Sequence, residues 1–168
     1  MFIEDNQALS ENDFKKLLIK IRDHKIHFYL NFSAVEWGDK GFHFYNQPLD
    51  RNGVKNKHYY FFKSLLLSIT KKHNIDVKEI YRMAINVTFN NGSIKESLLH
   101  TDHPFPHKQL LLYCNDSVGD TIIPSLNKSI TPKENKAIIF DSVNHKLLFP
   151  ERGIRIVCVF TFSTIDSL

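Results

Sequence analysis

The sequence has 168 residues, of which 24% are charged and 42% are hydrophobic, and its formal net charge is +4. This length supports one domain with its own core and leaves too little chain for a second. The basic residues are scattered rather than grouped into a stripe, so nucleic-acid binding is disfavoured, and no apolar run is long enough to span a bilayer.

Helical patterns come first along the chain. Ser10, with Asp13 three positions on, resembles a capping box, and apolar residues follow at helical spacing, so we expect a helix over about residues 11–23. The stretch 57–73, which ends in basic residues, predicts a second helix, and the residues between the two read as strands and loops. We therefore expect an N-terminal helical support over residues 1–78.

The second half of the chain changes to short β-rich segments. Turn signals separate them, and their sequences are IYRMAINVTF, SLLHT, QLLLYC, TIIPSL, KAIIF, HKLLFP and IRIVCVFTF. Seven or eight strands in about 85 residues fit a double-sheet barrel of the jelly-roll type better than a βαβ design. The expected fold class is α+β. A double-stranded β-helix over residues 79–163 would form the core of a single domain, 1–168, with the N-terminal helices packed outside it.

The cysteines and the N-terminus indicate the compartment. Cys114 and Cys158 lie in apolar runs without C-x-x-C spacing, which is typical of reduced core residues rather than of a zinc ribbon or a disulfide framework. Acidic residues stand where a signal peptide would carry positive charge. We therefore expect a cytoplasmic protein, located in the host cytoplasm if the chain is viral.

Three polar residues near the ends of predicted strands are candidate metal ligands. In an extended segment His100 and Asp102 point to the same face and could share one ion, although H-x-D is common by chance and two solvated residues are the ordinary alternative. His145 begins a later β-rich segment and supplies a third ligand if that segment is a neighbour in the barrel. Two imidazoles and one carboxylate form the facial set of non-haem Fe(II) oxygenases.

A charged residue interrupts the last apolar strand. The guanidinium of Arg155 is costly there unless it meets an anion of matching geometry. A salt bridge to a nearby acid or an outward-facing edge position would explain it. So would a clamp for the distal carboxylate of a dicarboxylate whose other end chelates the iron. The turn PERG between them predicts that His145 and Arg155 lie on adjacent strands of a hairpin.

In this order, the segments resemble the 2-oxoglutarate- and Fe(II)-dependent dioxygenases, in the prolyl 4-hydroxylase-like branch with its small viral and bacterial members. The resemblance covers roughly residues 80–163. It rests on HTD at 100–102, GDT at 119–121, TPKENKAIIFDSVNH at 131–145 and GIRIVCVF at 153–160. The order of these parts is more specific than any one of them alone.

The resemblance implies a role for each matching residue. His100, Asp102 and His145 would be the iron ligands, and Arg155 would bind the C5 carboxylate of 2-oxoglutarate. Tyr113 matches a tyrosine that in relatives reaches the same co-substrate, and a plain core aromatic is an equal alternative for it.

Other residues near the site carry weaker expectations. Asn86 is a candidate for a contact with the co-substrate, although a strand position that faces solvent is the better explanation for it. His103 and His107 are expected near the mouth of the site, either on the substrate side or exposed. Apolar neighbours would keep water out of the site, and the expected set is Leu110, Leu112, Ile138, Phe140 and Val157 or their alternates.

The implied activity is hydroxylation of a C–H bond by an Fe(II) enzyme that uses 2-oxoglutarate and O2, with ascorbate as an accessory cofactor. A peptidyl residue such as proline is the first choice of substrate, and a free amino acid or small metabolite is the alternative. Two rival hypotheses are a non-catalytic jelly-roll or cupin-like binding protein and a hydrolase or isomerase with zinc or manganese on the same ligands. Nucleic-acid dealkylases are disfavoured because Thr161 stands where they carry a second arginine. The sequence indicates no oligomeric state.

Overall fold

The computed structural model describes residues 1–32 and 41–165, so part of the loop region between the two predicted helices, 33–40, lies outside the described residues. Its helices are α1 (Glu11–Arg22) and α2 (Tyr59–Lys72). The strands are β1 (Phe2–Asp5), β2 (Tyr29–Asn31), β3 (His43–Leu49), β4 (Val77–Phe89), β5 (Lys108–Tyr113), β6 (Thr121–Ile123), β7 (Lys128–Ile130), β8 (Ala137–Asp141), β9 (Lys146–Leu147) and β10 (Ile154–Thr164). A short 3-10 turn, Pro124–Leu126, follows β6.

Two antiparallel sheets organise these strands. The large sheet has the order β1-β8-β5-β10-β4-β3-β2, and the small sheet has the order β7-β6-β9. An apolar cluster that joins β5, β8 and β10 to β6 and β7 fills part of the space between the sheets. The predicted α+β jelly-roll fold is confirmed, although the two sheets do not close into a complete barrel.

The two helices form where the sequence predicts them and pack against the outer face of the large sheet. The Ser10 hydroxyl caps α1 by accepting a hydrogen bond from the Asp13 backbone N–H at 3.1 Å. Phe14, Leu17 and Ile21 recur at helical spacing and are buried. They join residues of α2 and the large sheet in the main hydrophobic core of the described chain. None of the described helices has the length and hydropathy needed to cross a membrane.

Strand β10 separates the helix-facing core from the space between the sheets. Because successive side chains of a strand point to opposite faces, Cys158 and Phe160 lie in the core under the helices, while Val157 and Val159 face the small sheet. Cys114 lies in the same helix-side core, with its Sγ 3.6 Å from that of Cys158. Both cysteines are therefore free thiols in the core, as the apolar runs around them predict.

Several predicted elements differ from the observed ones. The first 78 residues are not only a helical support, because β1, β2 and β3 belong to the large sheet and β1 pairs with β8. The segment SLLHT is not a strand but an irregular segment joined to the β9 region by isolated bridges, including His100 to His145. The segment TIIPSL is a strand for only three residues, because Pro124 begins the 3-10 turn there. Strand β7 was not predicted, because its short sequence is mostly polar.

Candidate metal and co-substrate site

His100 and His145 are brought together by the backbone. Each donates its backbone N–H to the carbonyl of the other, at 3.0 and 2.9 Å, and their ring centroids are 4.5 Å apart. The Nδ1 atom of His100 lies 3.0 Å from the Leu98 carbonyl, and that of His145 lies 3.1 Å from the Val143 carbonyl. Because a carbonyl oxygen can only accept, each Nδ1 carries the ring proton, and the lone pair of each Nε2 is the possible metal ligand. In this structure the Nε2 lone pair of His145 accepts from Gln109 Nε2 at 3.2 Å, so Gln109 would have to move aside for an ion.

The third residue, Asp102, is held by two arginines. Its Oδ1 accepts a hydrogen bond from Arg82 Nη1 at 2.7 Å and a longer one from Arg51 Nη2 at 3.4 Å. Its other oxygen, Oδ2, faces the imidazole of His145 and lies 3.8 Å from the Nε2 atom of that ring. Burial of Asp102 opposes its ionisation, but the charges of Arg82, the two histidines and Arg51 outweigh burial and lower its pKa to about 2. Sequence reasoning did not find either arginine.

The donor set fits a divalent ion. One ligand atom from each of His100, Asp102 and His145 lies within 4.8 Å of the others, so a single ion can contact all three after small side-chain movements. Burial and the neighbouring His100 lower the pKa of His145 to about 4, so His145 is neutral at pH 7, while Asp102 is ionised. Metal ligands must be deprotonated, and two neutral imidazoles with one carboxylate are the facial set that suits Fe(II).

Arg155 lies deep between the sheets, and Asp120 acts on it electrostatically without forming an ion pair. It is 3% exposed, and its Nη2 donates to Thr121 Oγ1 at 2.9 Å. Its Nε has no hydrogen-bond partner, and no carboxylate of residues 1–32 or 41–165 forms an ion pair with it. The salt-bridge and outward-facing explanations for this residue are therefore wrong for the described chain. A buried guanidinium that lacks an anion is ready to bind one from a ligand.

Tyr113 supports Arg155 from behind. Its ring centroid is 5.5 Å from the guanidinium carbon, and its hydroxyl donates to Thr121 Oγ1 at 2.8 Å. Thr121 Oγ1 thus accepts from both residues, which leaves the threonine proton available for a ligand. Tyr113 is fully buried and is not among the residues that line the cavity, so it packs behind Arg155 rather than forming the cavity wall.

One cavity of about 620 Å³ contains the candidate metal ligands and Arg155. Asn86 lines it too, and its Oδ1 is buried without a partner, so the expectation that this residue faces solvent is wrong. The apolar residues of the wall are Leu99, Leu111, Leu147, Val157 and Val159. Leu110 and Leu112, which we expected there, point to the opposite face and lie in the helix-side core.

His103 and His107 are buried outside this cavity rather than at its mouth. They pack with Tyr81 and Phe105, and the two imidazole centroids are 5.0 Å apart. The Nε2 of His103 is hydrogen-bonded to Thr161 Oγ1 at 2.8 Å. Both histidines are 9% exposed or less, so the expectation that they are exposed is wrong, while a place on the substrate side stays a prediction.

His145 and Arg155 do not lie on adjacent hairpin strands. His145 immediately precedes β9, which pairs with β6 in the small sheet, whereas Arg155 is in β10, which pairs with β4 and β5 in the large sheet. The chain segment between them therefore crosses from one sheet to the other. The two residues face the same cavity from opposite walls, an arrangement that a simple hairpin would not give.

Comparison with known proteins gives structural likeness only. No protein-family model and no curated protein matches the sequence. Among solved structures, a 2OG-Fe(II) oxygenase family protein from Burkholderia pseudomallei is 13% identical with a TM-score of 0.73, over 96% of this chain and 84% of that one. The viral collagen prolyl hydroxylase of Paramecium bursaria Chlorella virus-1, solved as a 2OG complex, is 14% identical with a TM-score of 0.62, over 98% and 96%.

A third similar structure is a prolyl hydroxylase from Trichoplax adhaerens in complex with a peptide fragment of hypoxia inducible factor. It is 14% identical with a TM-score of 0.64, over 96% of this chain and 83% of that one. At such identities the likeness establishes the fold. This chain has the fold of the 2-oxoglutarate- and Fe(II)-dependent oxygenases, as the order of its sequence segments predicts.

Proposed function

We propose that this protein is an Fe(II)- and 2-oxoglutarate-dependent dioxygenase that hydroxylates a C–H bond. One observation carries the proposal. A convergent His100–Asp102–His145 set and a buried Arg155 without an anion face the same cavity. The first can hold a divalent metal and the second can hold a carboxylate, and these are the two requirements for binding 2-oxoglutarate at an iron centre.

Each residue of the site has a defined task in this proposal. His100, Asp102 and His145 would hold Fe(II), which supplies the oxidation chemistry when it is bound. Arg155 and the free Thr121 proton would bind the C5 carboxylate, with Tyr113 fixing the orientation of both. Asn86 offers its unpartnered amide oxygen as an acceptor inside the cavity.

The overall reaction balances without any acid–base residue from the protein. One C–H bond of the substrate, 2-oxoglutarate and O2 would give an alcohol, succinate and CO2. One oxygen atom enters the alcohol and the other enters succinate. The protein contributes positioning and an environment that limits water, through apolar wall residues such as Leu111 and Val159. Ascorbate would serve to keep the iron in its ferrous form.

For the substrate we propose a peptidyl residue such as proline. The support is that the structural relatives include prolyl hydroxylases, one of them solved with a peptide. A free amino acid or other small metabolite is the second candidate. It is favoured by the polar groups that His43, Gln47 and Asn52 add to the cavity wall, since proline itself offers a mainly apolar ring.

The experiment is 2-oxoglutarate turnover without added substrate, followed by a peptide and metabolite screen. Protein purified without oxygen and loaded with Fe(II) should release succinate, and the His145→Ala variant should not. A hydrolase or isomerase would retain zinc or manganese and release no succinate, and a binding protein would neither hold iron stoichiometrically nor turn over. Either of those results would contradict the proposal.

A further inference from the structure

Two more arginines line the same cavity as Arg155, and the positive charge of the lining residues exceeds their negative charge. Arg82 in β4 and Arg51 in the loop after β3 both reach the same oxygen, Oδ1 of Asp102. That carboxylate is also the only acidic member of the candidate metal set. A single carboxylate cannot neutralise a divalent ion and two guanidinium groups.

A charge count over the described residues makes this quantitative. The cations that line the cavity are Arg51, Arg82, Arg155 and Lys146, and the anions are Asp50 and Asp102. Lys146 forms an ion pair with Glu96 at 2.8 Å, so its charge is neutralised and is not counted. Adding a divalent metal and the dianion 2-oxoglutarate, whose charges cancel, leaves one unbalanced positive charge among the lining residues. Asp120, outside the lining, offsets part of the charge of Arg155 but forms no ion pair with Arg51 or Arg82, which both contact Asp102 in the described chain.

Of the two arginines that contact Asp102, Arg51 is held more loosely and is the better placed to bind a further ligand. Arg82 is deeply buried and makes the short 2.7 Å contact, whereas the Arg51 side chain is 50% exposed and its 3.4 Å contact with Asp102 is long. The loop that carries Arg51 is nevertheless fixed, because Asp50 Oδ1 accepts from the backbone N–H groups of Asn52 and Val54 at 2.9 and 2.8 Å. A fixed loop with a loosely held guanidinium at the rim is a suitable anchor for an anion.

We propose that Arg51 binds a carboxylate of the substrate, so that the protein acts on a molecule with a single negative group near the reacting carbon. This inference rests on the proposed dioxygenase function and names the substrate class for it. The carboxylate would complete the charge balance of the loaded cavity. It would also accept the bidentate hydrogen bonds that the Arg51 fork now leaves largely unused.

The test uses acetate as the probe and full-length protein loaded with Zn(II) and saturated with 2-oxoglutarate, so that Arg155 is already occupied. Acetate is titrated while the Nε–H signals of the arginine side chains are followed by NMR. A saturable shift of the Arg51 signal is expected in the wild type. The Arg51→Gln protein should bind acetate at least tenfold more weakly, as judged from signals of neighbouring backbone amides.

The matched control is Arg152→Gln, which removes an exposed arginine elsewhere and should titrate like the wild type. Equal acetate affinity in the wild-type and Arg51→Gln proteins, or no saturable binding in the wild type, would overturn the inference. In that case Arg51 serves only to shield Asp102. The affinity for 2-oxoglutarate, measured in the same samples, reports separately on the proposed function, since failure to bind it would contradict that function alone.

A second experiment identifies which carboxylate of the substrate Arg51 binds. Succinate release is compared for amide-capped peptides with glutamate or glutamine beside proline, and for free amino acids against their amides. Stimulation by the glutamate peptide alone assigns the anion to a peptide side chain, and stimulation by the free acids alone assigns it to an α-carboxylate. Equal stimulation by acids and amides would contradict the role of Arg51.

Discussion

His100 and His145 are joined by two reciprocal backbone hydrogen bonds, so the distance between the two candidate imidazole ligands is set by the backbone itself. Their Nδ1 atoms are fixed by the carbonyls of Leu98 and Val143. The candidate metal site is therefore largely preorganised, and removing one candidate ligand should abolish metal binding without unfolding the protein.

The first prediction concerns this pair. The His145→Ala protein should lose stoichiometric Fe(II) and all succinate production, because two remaining ligands hold the ion too weakly. Its circular dichroism spectrum should match the wild type, since the backbone bridge to His100 does not need the imidazole. The control is His24→Ala, which removes a side chain that is 89% exposed. Full iron-dependent turnover in His145→Ala would show that the ligand assignment is wrong.

The second prediction concerns the anion-binding group. Arg155→Ala should raise the KM for 2-oxoglutarate about 100-fold, corresponding to about 2.7 kcal/mol for the loss of a buried charge-assisted contact. Iron content, measured by metal analysis, should stay near the wild-type value because Arg155 contacts no candidate ligand. Arg152→Ala is the matched control on the exposed turn. An unchanged KM in Arg155→Ala would remove this residue from the co-substrate site.

The third prediction concerns Arg82. Its hydrogen bond to Asp102 Oδ1 orients the carboxylate and leaves Oδ2 for the metal. Arg82→Met should weaken metal affinity about 10- to 100-fold, as measured by competition with a chelating dye. Arg82→Lys retains the charge and should lose less. Equal metal affinity in the Arg82→Met and wild-type proteins would contradict an orienting role.

The fourth prediction concerns the pH dependence of stability in the metal-free protein. Burial lowers the pKa of His103 and of His145 from 6.5 to about 4. Between pH 6.5 and pH 4 the unfolded chain therefore binds more protons than the folded one, and the free energy of unfolding must fall as pH falls. The slope is at most about 1.4 kcal/mol per pH unit for each proton taken up.

Urea denaturation at intervals from pH 7.5 to pH 4 measures this slope. The decline should begin near pH 6.5 and flatten towards pH 4, and His103→Gln should show a shallower decline. A further loss is expected below pH 3.8, because the pKa of Asp102 is lowered from that value to about 2. Constant stability from pH 6.5 to pH 4 would mean that these histidines are not buried as neutral groups.

The fifth prediction concerns a glycine in the turn before β6. Gly119 has φ of +137°, and a Cβ built there would lie 2.7 Å from the Leu148 carbonyl oxygen and 3.2 Å from the Pro150 nitrogen. Gly119→Ala should therefore cost several kcal/mol, because backbone rather than a flexible side chain blocks the added atom. Gly92→Ala is the control, since its φ is +69° but nothing lies within 4 Å. Thermal unfolding of both variants gives the comparison, and equal losses would contradict the predicted clash.

The sequence was informative where local chemistry dominates. The capping box at Ser10 and the helical spacing after it are short-range signals, and they predicted α1 to within a residue. The candidate metal and co-substrate residues could be proposed because an ordered series of segments resembles a known family. Their meeting in one cavity depends on the topology of the two sheets, which no single segment encodes.

The residues that were missed have long-range partners. Arg82 looks like an ordinary polar position in a strand, and its role appears only when β4 is placed opposite the Asp102 loop. Arg51 lies in a loop with no motif. Asn86 was expected to face solvent because the alternation of side chains along a strand does not show which face is buried. In the structure both faces of β4 are covered, one by the helix-side core and the other by the cavity. The aromatic cluster around His103 was missed for a similar reason, since Tyr81 reaches it from another strand.

The bridge between His100 and His145 links two irregular segments at the rim of the cavity rather than two long strands. A bound ion would add a cross-link at the same place and would also tie in the loop of Asp102, which Arg82 anchors to the large sheet. Metal loading should therefore slow amide hydrogen exchange most around residues 97–102 and 143–148, and much less under the helices. In this way a bound ion would also stabilise two irregular segments of the described chain.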